Sequence, residues 1–227
     1  MSAEAAVEVV RHPRARRMKL AFDPASGRVR LVLPQRAKLA AGLAWVEQHR
    51  EWIAAQREKL PEGRPFVPGA TIPLGGDDVM LAWDPTGSRT PKLADGVVTV
   101  GGPVDGFAAR IARWLRREAL RVLSEETAYY ADKAGVTVSA VGVGDTRSRW
   151  GSCASSGAIR YSWRLILAPA AVRQATVAHE VAHRVHMNHS PAFHALVAEL
   201  YGRDPTPERR WLKANGAALH WYGRGGS

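Results

Sequence analysis

The chain has 227 residues, about one and a half times a typical domain, which excludes a miniprotein held together only by disulfides or a metal. Hydrophobic residues make up 46% and charged residues 23%, and no apolar run reaches the roughly 18 residues of a membrane helix, which excludes disorder and a membrane protein. The net charge of +11 permits an anionic partner without requiring one. The lone cysteine, Cys153, and an N-terminus without the charge order of a secretory signal predict a cytoplasmic protein.

The first half of the chain predicts short strands and one helix. Apolar residues alternate on both sides of a turn at 23–27, which predicts two strands within residues 5–33. Apolar residues at helical spacing, Leu39 and Leu43 among them, predict a helix over 38–60. Residues 61–104 are rich in glycine and proline between short apolar stretches, which predicts a small antiparallel sheet.

The second half begins with a long predicted helix over 105–134. Four of its arginines recur at spacings of three and four and therefore share one face, which is either solvated or an anion-binding ridge: Arg110, Arg113, Arg117 and Arg121. Strands are predicted at 136–143 and 158–167, separated by a polar segment, and the helical pattern returns from about residue 170.

This order of elements predicts an α+β fold with small antiparallel sheets and a zincin-like helical core. We expect a β-rich region with one helix over 1–104 and a catalytic region over 105–227, integrated into one domain. No repeat and no low-complexity linker separates the two regions.

Five of the eight histidines lie between positions 179 and 194 and include an H-E-x-x-H motif. The run Ala170–Met187 lacks glycine and proline, so we expect the motif to lie on a helix. His179 and His183, four residues apart, then lie one turn above the other and can bind one zinc ion. Glu180 lies beside the first ligand and is suited to act as the general base on water at the metal.

A catalytic zinc requires a third protein ligand, and the sequence offers His186, His189 and His194. His186 is seven residues from the first histidine of the motif, about 10 Å along a straight helix. We expect Asn188 to end the helix in the left-handed conformation and Ser190-Pro191 to begin the next one. That break favours His189 as the third ligand, with the other two histidines near the metal or packed beside it.

Three motifs in register resemble the signature of the YgjP-like zinc metallopeptidases, which are related to the WLM and SprT groups. The matching segments are Arg147–Cys153 (Arg-Ser-Arg-Trp-Gly-Ser-Cys), Trp163–Ile166 followed by Ala168-Pro169, and His179–His183 followed by Asn188–Pro191 and Phe193. The resemblance covers about residues 10 to 215. It implies zinc on the three histidines His179, His183 and His189, with Glu180 as the base. The departures are Val181 for Leu, Ser162 for Asn, and His194 for the usual Trp.

Such a site implies hydrolysis, and a peptide bond is the expected substrate, bound at a strand edge within 157–167. The alternative is a nucleoside triphosphate, since some relatives are described as UTP pyrophosphatases. In that case guanidinium groups are expected to hold the phosphates, and the candidates are Arg147, Arg149 and Arg164. A DNA-associated protease, as in the SprT branch, is the third possibility, but no nucleic-acid-binding motif supports it.

Overall fold

The computed structural model describes residues 7–225 and contains six α-helices and three small mixed sheets in that range. The predicted α+β class is confirmed. Contacts divide the chain into two compact units, Met1–Glu62 and Gly63–Ser227. The division into regions at residue 104 stays a prediction. Among the described residues, no helix has both the length and the apolar character needed to cross a membrane.

The smaller unit contains a three-stranded sheet in the order β1-β3-β2, with strands β1 (Glu8–His12), β2 (Lys19–Asp23) and β3 (Arg28–Pro34). β2 and β3 form the predicted antiparallel hairpin, whereas β1 runs parallel to β3. The predicted first strand is therefore two strands. The reason is a turn at Pro13, where the Ala15 N–H donates to the His12 carbonyl and the chain leaves the sheet.

The predicted helix over 38–60 is two helices, α1 (Leu39–Gln48) and α2 (Arg50–Glu58), which meet at His49 with φ −104° and ψ 15°. Gly42 brings α1 close to β3, since a Cβ there would lie 2.8 Å from the Leu33 side chain. Leu39 and Leu43, expected on the apolar side, are each 46% exposed because the glycine occupies the contact with the sheet.

The larger unit begins with a four-stranded sheet in the order β4-β5-β7-β6, with strands β4 (Thr71–Leu74), β5 (Asp77–Trp83), β6 (Lys92–Ala94) and β7 (Val97–Val100). The prediction of a purely antiparallel sheet is wrong, because β5 and β7 pair in parallel. The β6–β7 hairpin places β6 at the outer edge and leaves β7 to pair with β5.

The long helix α3 (Phe107–Lys133) follows a short 3-10 turn at Val104–Gly106 and confirms the prediction over 105–134. Its apolar side is buried at intervals of about one helical turn, at Ile111, Leu115, Ala119 and Leu123. This side belongs to the main hydrophobic core of the unit.

The third sheet has the order β8-β10-β9, with strands β8 (Ala140–Gly144), β9 (Gly151–Cys153) and β10 (Ala158–Ser162). β10 is parallel to β8 and antiparallel to β9. Because both edges of β10 are paired, the expected peptide-binding edge within 157–167 is wrong. Among the described residues, the outer edges of β8 and β9 both pair with no strand, and β9, the edge strand that packs against α4, is one that the sequence did not predict.

The predicted strand over 158–167 is also too long, because Trp163–Leu167 forms a buried 3-10 turn. The Arg164 guanidinium holds this turn in place. It donates to Asp145 at 2.6 Å and to the carbonyls of Leu219 and Tyr222 at 2.8 and 3.0 Å.

Three helices complete the unit: α4 (Ala170–Ala182), α5 (Pro191–Tyr201) and α6 (Thr206–Leu219). The prediction that the first of them continues to Met187 is wrong, since His183 is its C-cap. The N–H groups of Arg184 and Val185 donate three residues back, to Val181 and Ala182, so the last turn tightens and the chain leaves the helix. α4 packs against α3, α5, α6 and β9.

Candidate metal centre

The end of α4 carries both histidines of the motif, one in its last turn and the other as its C-cap. Because they are four residues apart on the helix, His179 and His183 present their rings side by side, with centroids 5.0 Å apart and planes at 86°. Eight residues of α4 are buried, Val181 among them, which fixes the direction in which the two histidines point.

His189 returns to the same place from the segment that follows α4. Its Nε2 lies 3.2 Å from Nε2 of His179, and its ring centroid is 4.8 Å from that of His183. The three histidines each offer one nitrogen, and these nitrogens lie within 4.8 Å of one another. The chain reaches this position without the expected left-handed Asn188, since the only described non-glycine residue with positive φ is Asp95. The chain instead reverses direction because α4 ends early, at Ala182.

The helix after the triad holds it from the other side. The prediction that Ser190-Pro191 begins a helix is confirmed, because the Ser190 hydroxyl accepts from the Phe193 N–H at 3.3 Å and Pro191 occupies the first turn. The fully buried Phe193 ring then lies 4.5 to 4.9 Å from all three imidazoles. These contacts with the Phe193 ring restrict the orientation of the three imidazoles.

The other two histidine candidates lie outside the triad. His186 contributes its backbone carbonyl, which is 3.1 Å from Nδ1 of His183. With a proton on Nδ1 donating to that carbonyl, Nε2 of His183 is free to bind a metal. The ring of His194 stacks 6.1 Å from that of His189.

Burial favours the uncharged imidazole at two members of the triad, His179 and His183. Burial, followed by the charges of His183 and His189, lowers the pKa of His179 to about 4. Burial also lowers the pKa of His183, although its hydrogen bond to the His186 carbonyl opposes the effect. Three converging imidazoles fit a zinc ion, whose preferred protein ligands include histidine nitrogen and whose catalytic sites use three protein ligands.

Glu180 is 6% exposed and lies between α4 and the start of β9. A Cβ on Gly151 would overlap with Oε1 of Glu180, so the carboxylate rests directly against the glycine backbone. Burial raises the pKa of Glu180 to about 7, and the positive charge of Arg149 acts against that rise. The glycine of the Arg147–Cys153 motif therefore makes room for the carboxylate, a role that the sequence analysis did not assign to it.

We expect Gly151→Ala to displace the Glu180 carboxylate and to reduce any hydrolytic activity by at least about tenfold, because a misplacement of 1 Å can cost about 100-fold. Gly142→Ala is the matched control, since it lies in the same sheet and a Cβ there meets nothing within 4 Å. Activity assays, zinc analysis and thermal melts of both variants test the expectation. Equal activities of the two variants would contradict it.

A cavity of about 260 Å³ opens beside Glu180 and His179. Its apolar wall comes from α4, α5 and α6, and its polar rim includes Arg149, Trp150 and Arg209. Arg209 lies on α6, about 30 residues after the motif, and no local pattern marked it as a site residue. The cavity therefore combines two carboxylates, Glu180 and Glu208, with one histidine of the triad and two guanidinium groups.

The three arginines predicted to bind substrate have separate locations. Arg149 is exposed at the rim of this cavity. Arg147 is exposed and is not among the residues that line the cavity. Arg164 is 5% exposed, with its guanidinium bonded to Asp145 and to two carbonyls, so its hydrogen bonds serve the fold.

The fold and the site define an α+β protein with a three-histidine candidate metal centre and a buried carboxylate beside it. The family model of the YgjP-like metallopeptidase domain matches residues 16–215, and the chain belongs to this family. Comparisons with curated proteins and with solved structures gave no match.

Proposed function

We propose that this protein is a zinc-dependent peptidase whose metal ligands are His179, His183 and His189 and whose general base is Glu180. The convergence of the three histidines beside a buried carboxylate, in a chain of a metallopeptidase family, carries the proposal. When bound, zinc would lower the pKa of water to about 7 and polarise the carbonyl of the scissile bond.

The protein's own residues would handle the proton and the substrate. Glu180 accepts the proton of the attacking water at its carboxylate and delivers it to the leaving nitrogen. Its contact with Gly151 fixes the carboxylate, and its burial shields it from bulk water while the cavity leaves one side open to the substrate. The open edge of β9, whose first residue Gly151 lines the cavity, offers backbone groups to an extended peptide.

The direct test is to incubate the zinc-loaded protein with casein, an unstructured protein, and to follow fragments by electrophoresis and mass spectrometry. We expect cleavage that stops when a chelator removes the metal and returns when zinc is added. The Gly142→Ala protein should cleave like the wild type, which controls for handling of a variant. Absence of casein fragments from a fully loaded protein would contradict the peptidase proposal.

A nucleoside triphosphate is the second candidate substrate, and the rim of the cavity favours it. Arg149 and Arg209 line the cavity that contains Glu180 and Glu208, and since Glu208 is paired with Arg203, two guanidinium groups are available to phosphate oxygens. The Trp150 ring also lines this cavity, but it packs against Gly216 and lies 5.4 Å from the His220 ring, so the guanidinium groups carry this alternative. Release of pyrophosphate from UTP, measured beside the casein assay, distinguishes the two substrates.

Arg149→Lys keeps the charge at the rim and removes the bidentate fork. On the peptidase proposal, casein cleavage should be unchanged. The melting temperature should also be unchanged, because the side chain is exposed and makes no ion pair within residues 7–225. On the nucleotide alternative, turnover of UTP should fall by about tenfold or more while zinc content stays constant. Loss of casein cleavage in a stable, zinc-loaded variant would show that Arg149 acts on the peptide.

A further inference from the structure

A second cavity, remote in sequence from the metal centre, is surrounded by arginines. It has a volume of about 240 Å³ and is lined by Arg89, Arg110, Arg113 and Arg117 together with Thr90 and Pro91. Three of the arginines come from the first half of α3, at spacings of three and four, and Arg89 comes from the loop between β5 and β6. None of the lining residues is acidic, and none is shared with the cavity of the candidate metal centre.

Two glycines shape this cluster. A Cβ on Gly102 would lie 2.9 Å from Cγ of Arg89, and a Cβ on Gly106 would lie 2.5 Å from Nη1 of Arg110. Gly102 also has φ +85°, a conformation that side-chain-bearing residues rarely adopt. Because glycine has no side chain, the Arg89 and Arg110 side chains can lie directly against the backbone at these two positions.

The arginines of the cluster lack the partners that their neighbour on α3 has. Arg121, which the sequence placed on the same face, is bound by Glu118 and Glu125 on its own helix. Within residues 7–225, no carboxylate forms an ion pair with any of the four arginines at the cavity. Arg110 donates to the Pro103 carbonyl, but its Nε is buried without a hydrogen-bond partner. A buried donor without a partner is costly, and an anion in the cavity would offer acceptors to this group of guanidiniums.

We propose that this cavity binds a ligand that carries two or more adjacent phosphate groups. Guanidinium forks match phosphate oxygens, and four positive charges exceed what a single carboxylate can balance. The volume of about 240 Å³ corresponds to about eight water molecules, enough for linked phosphates but small for a whole nucleotide. The phosphates can belong to a free oligophosphate or to a phosphodiester backbone.

The test is calorimetric titration of the full chain with tripolyphosphate and, separately, with a short single-stranded oligothymidylate. We expect at least one of the two to bind, and the double change Arg113→Gln with Arg117→Gln to weaken binding by about tenfold or more. If the oligonucleotide is the ligand, the slope of log affinity against log salt should also fall by about 0.7 for each phosphate that the variant no longer neutralises. Tripolyphosphate binding identifies a free anion as the source, and binding of the oligonucleotide alone identifies the backbone.

Two pairs of variants distinguish a specific site from attraction to the net positive charge of the protein. The double change Arg28→Gln with Arg57→Gln removes the same charge from exposed positions of the smaller unit and should leave the affinity unchanged. The pair Arg113→Lys with Arg117→Lys keeps the charge without the forks and should still weaken binding. Binding should persist with a chelator and in His189→Ala, because the metal centre is a different site. The proposal is overturned if neither ligand binds, if the control pair weakens binding equally, or if the chelator abolishes it.

Discussion

Glu180→Gln is expected to retain zinc and to lose hydrolysis by about 10² to 10⁴-fold, the range of a positioned general base. The amide has nearly the shape of the carboxylate, so it fits against Gly151 as the native side chain does. It cannot accept the proton of the attacking water. The test measures the zinc content of the variant and its rate of turnover of the substrate that the wild type cleaves.

The two measurements have different consequences for Glu180. If the variant loses zinc, the residue is a ligand and its assignment as the base is wrong. If the variant keeps both zinc and full activity, another group takes the proton. A thermal melt supports the comparison, since an uncharged amide at a buried position is not expected to destabilise the protein.

His189→Ala is expected to lower zinc affinity by more than about 100-fold, because even the loss of groups behind the ligands costs about 10 to 100-fold. The two histidines of α4 remain, and a site with two protein ligands lacks the set of three that catalytic zinc uses. His189 is exposed, so the fold should survive the change. Competition with a chromogenic zinc chelator measures the affinity.

His194→Ala is the matched control for that experiment. His194 lies on α5, close in sequence to His189, and its ring stacks 6.1 Å away, but it is not part of the converging triad. Its removal should leave the zinc affinity nearly unchanged. The assignment of the third ligand fails if the His194 variant loses zinc or if the His189 variant keeps it.

The sequence by itself determined the features that depend on neighbours along the chain. The spacing of His179 and His183 places them on one side of a helix wherever that helix packs. Ser190-Pro191 begins the next helix through its own hydroxyl and ring, and the periodicity of α3 predicted that helix to within two residues. These features arise from local backbone geometry and local hydrogen bonds.

Tertiary structure decided what depends on residues distant in the chain. α4 ends at Ala182 rather than at Asn188, and the short polar strand β9 exists because it pairs with β10. Two arginines with similar sequence context therefore have different surroundings. Arg164 donates to carbonyls about 55 positions later, whereas Arg149 is exposed at the cavity. The contact of Gly151 with Glu180 likewise joins a strand to a helix. No periodicity encodes these contacts, because each is fixed by the packing of segments that meet only in the folded chain.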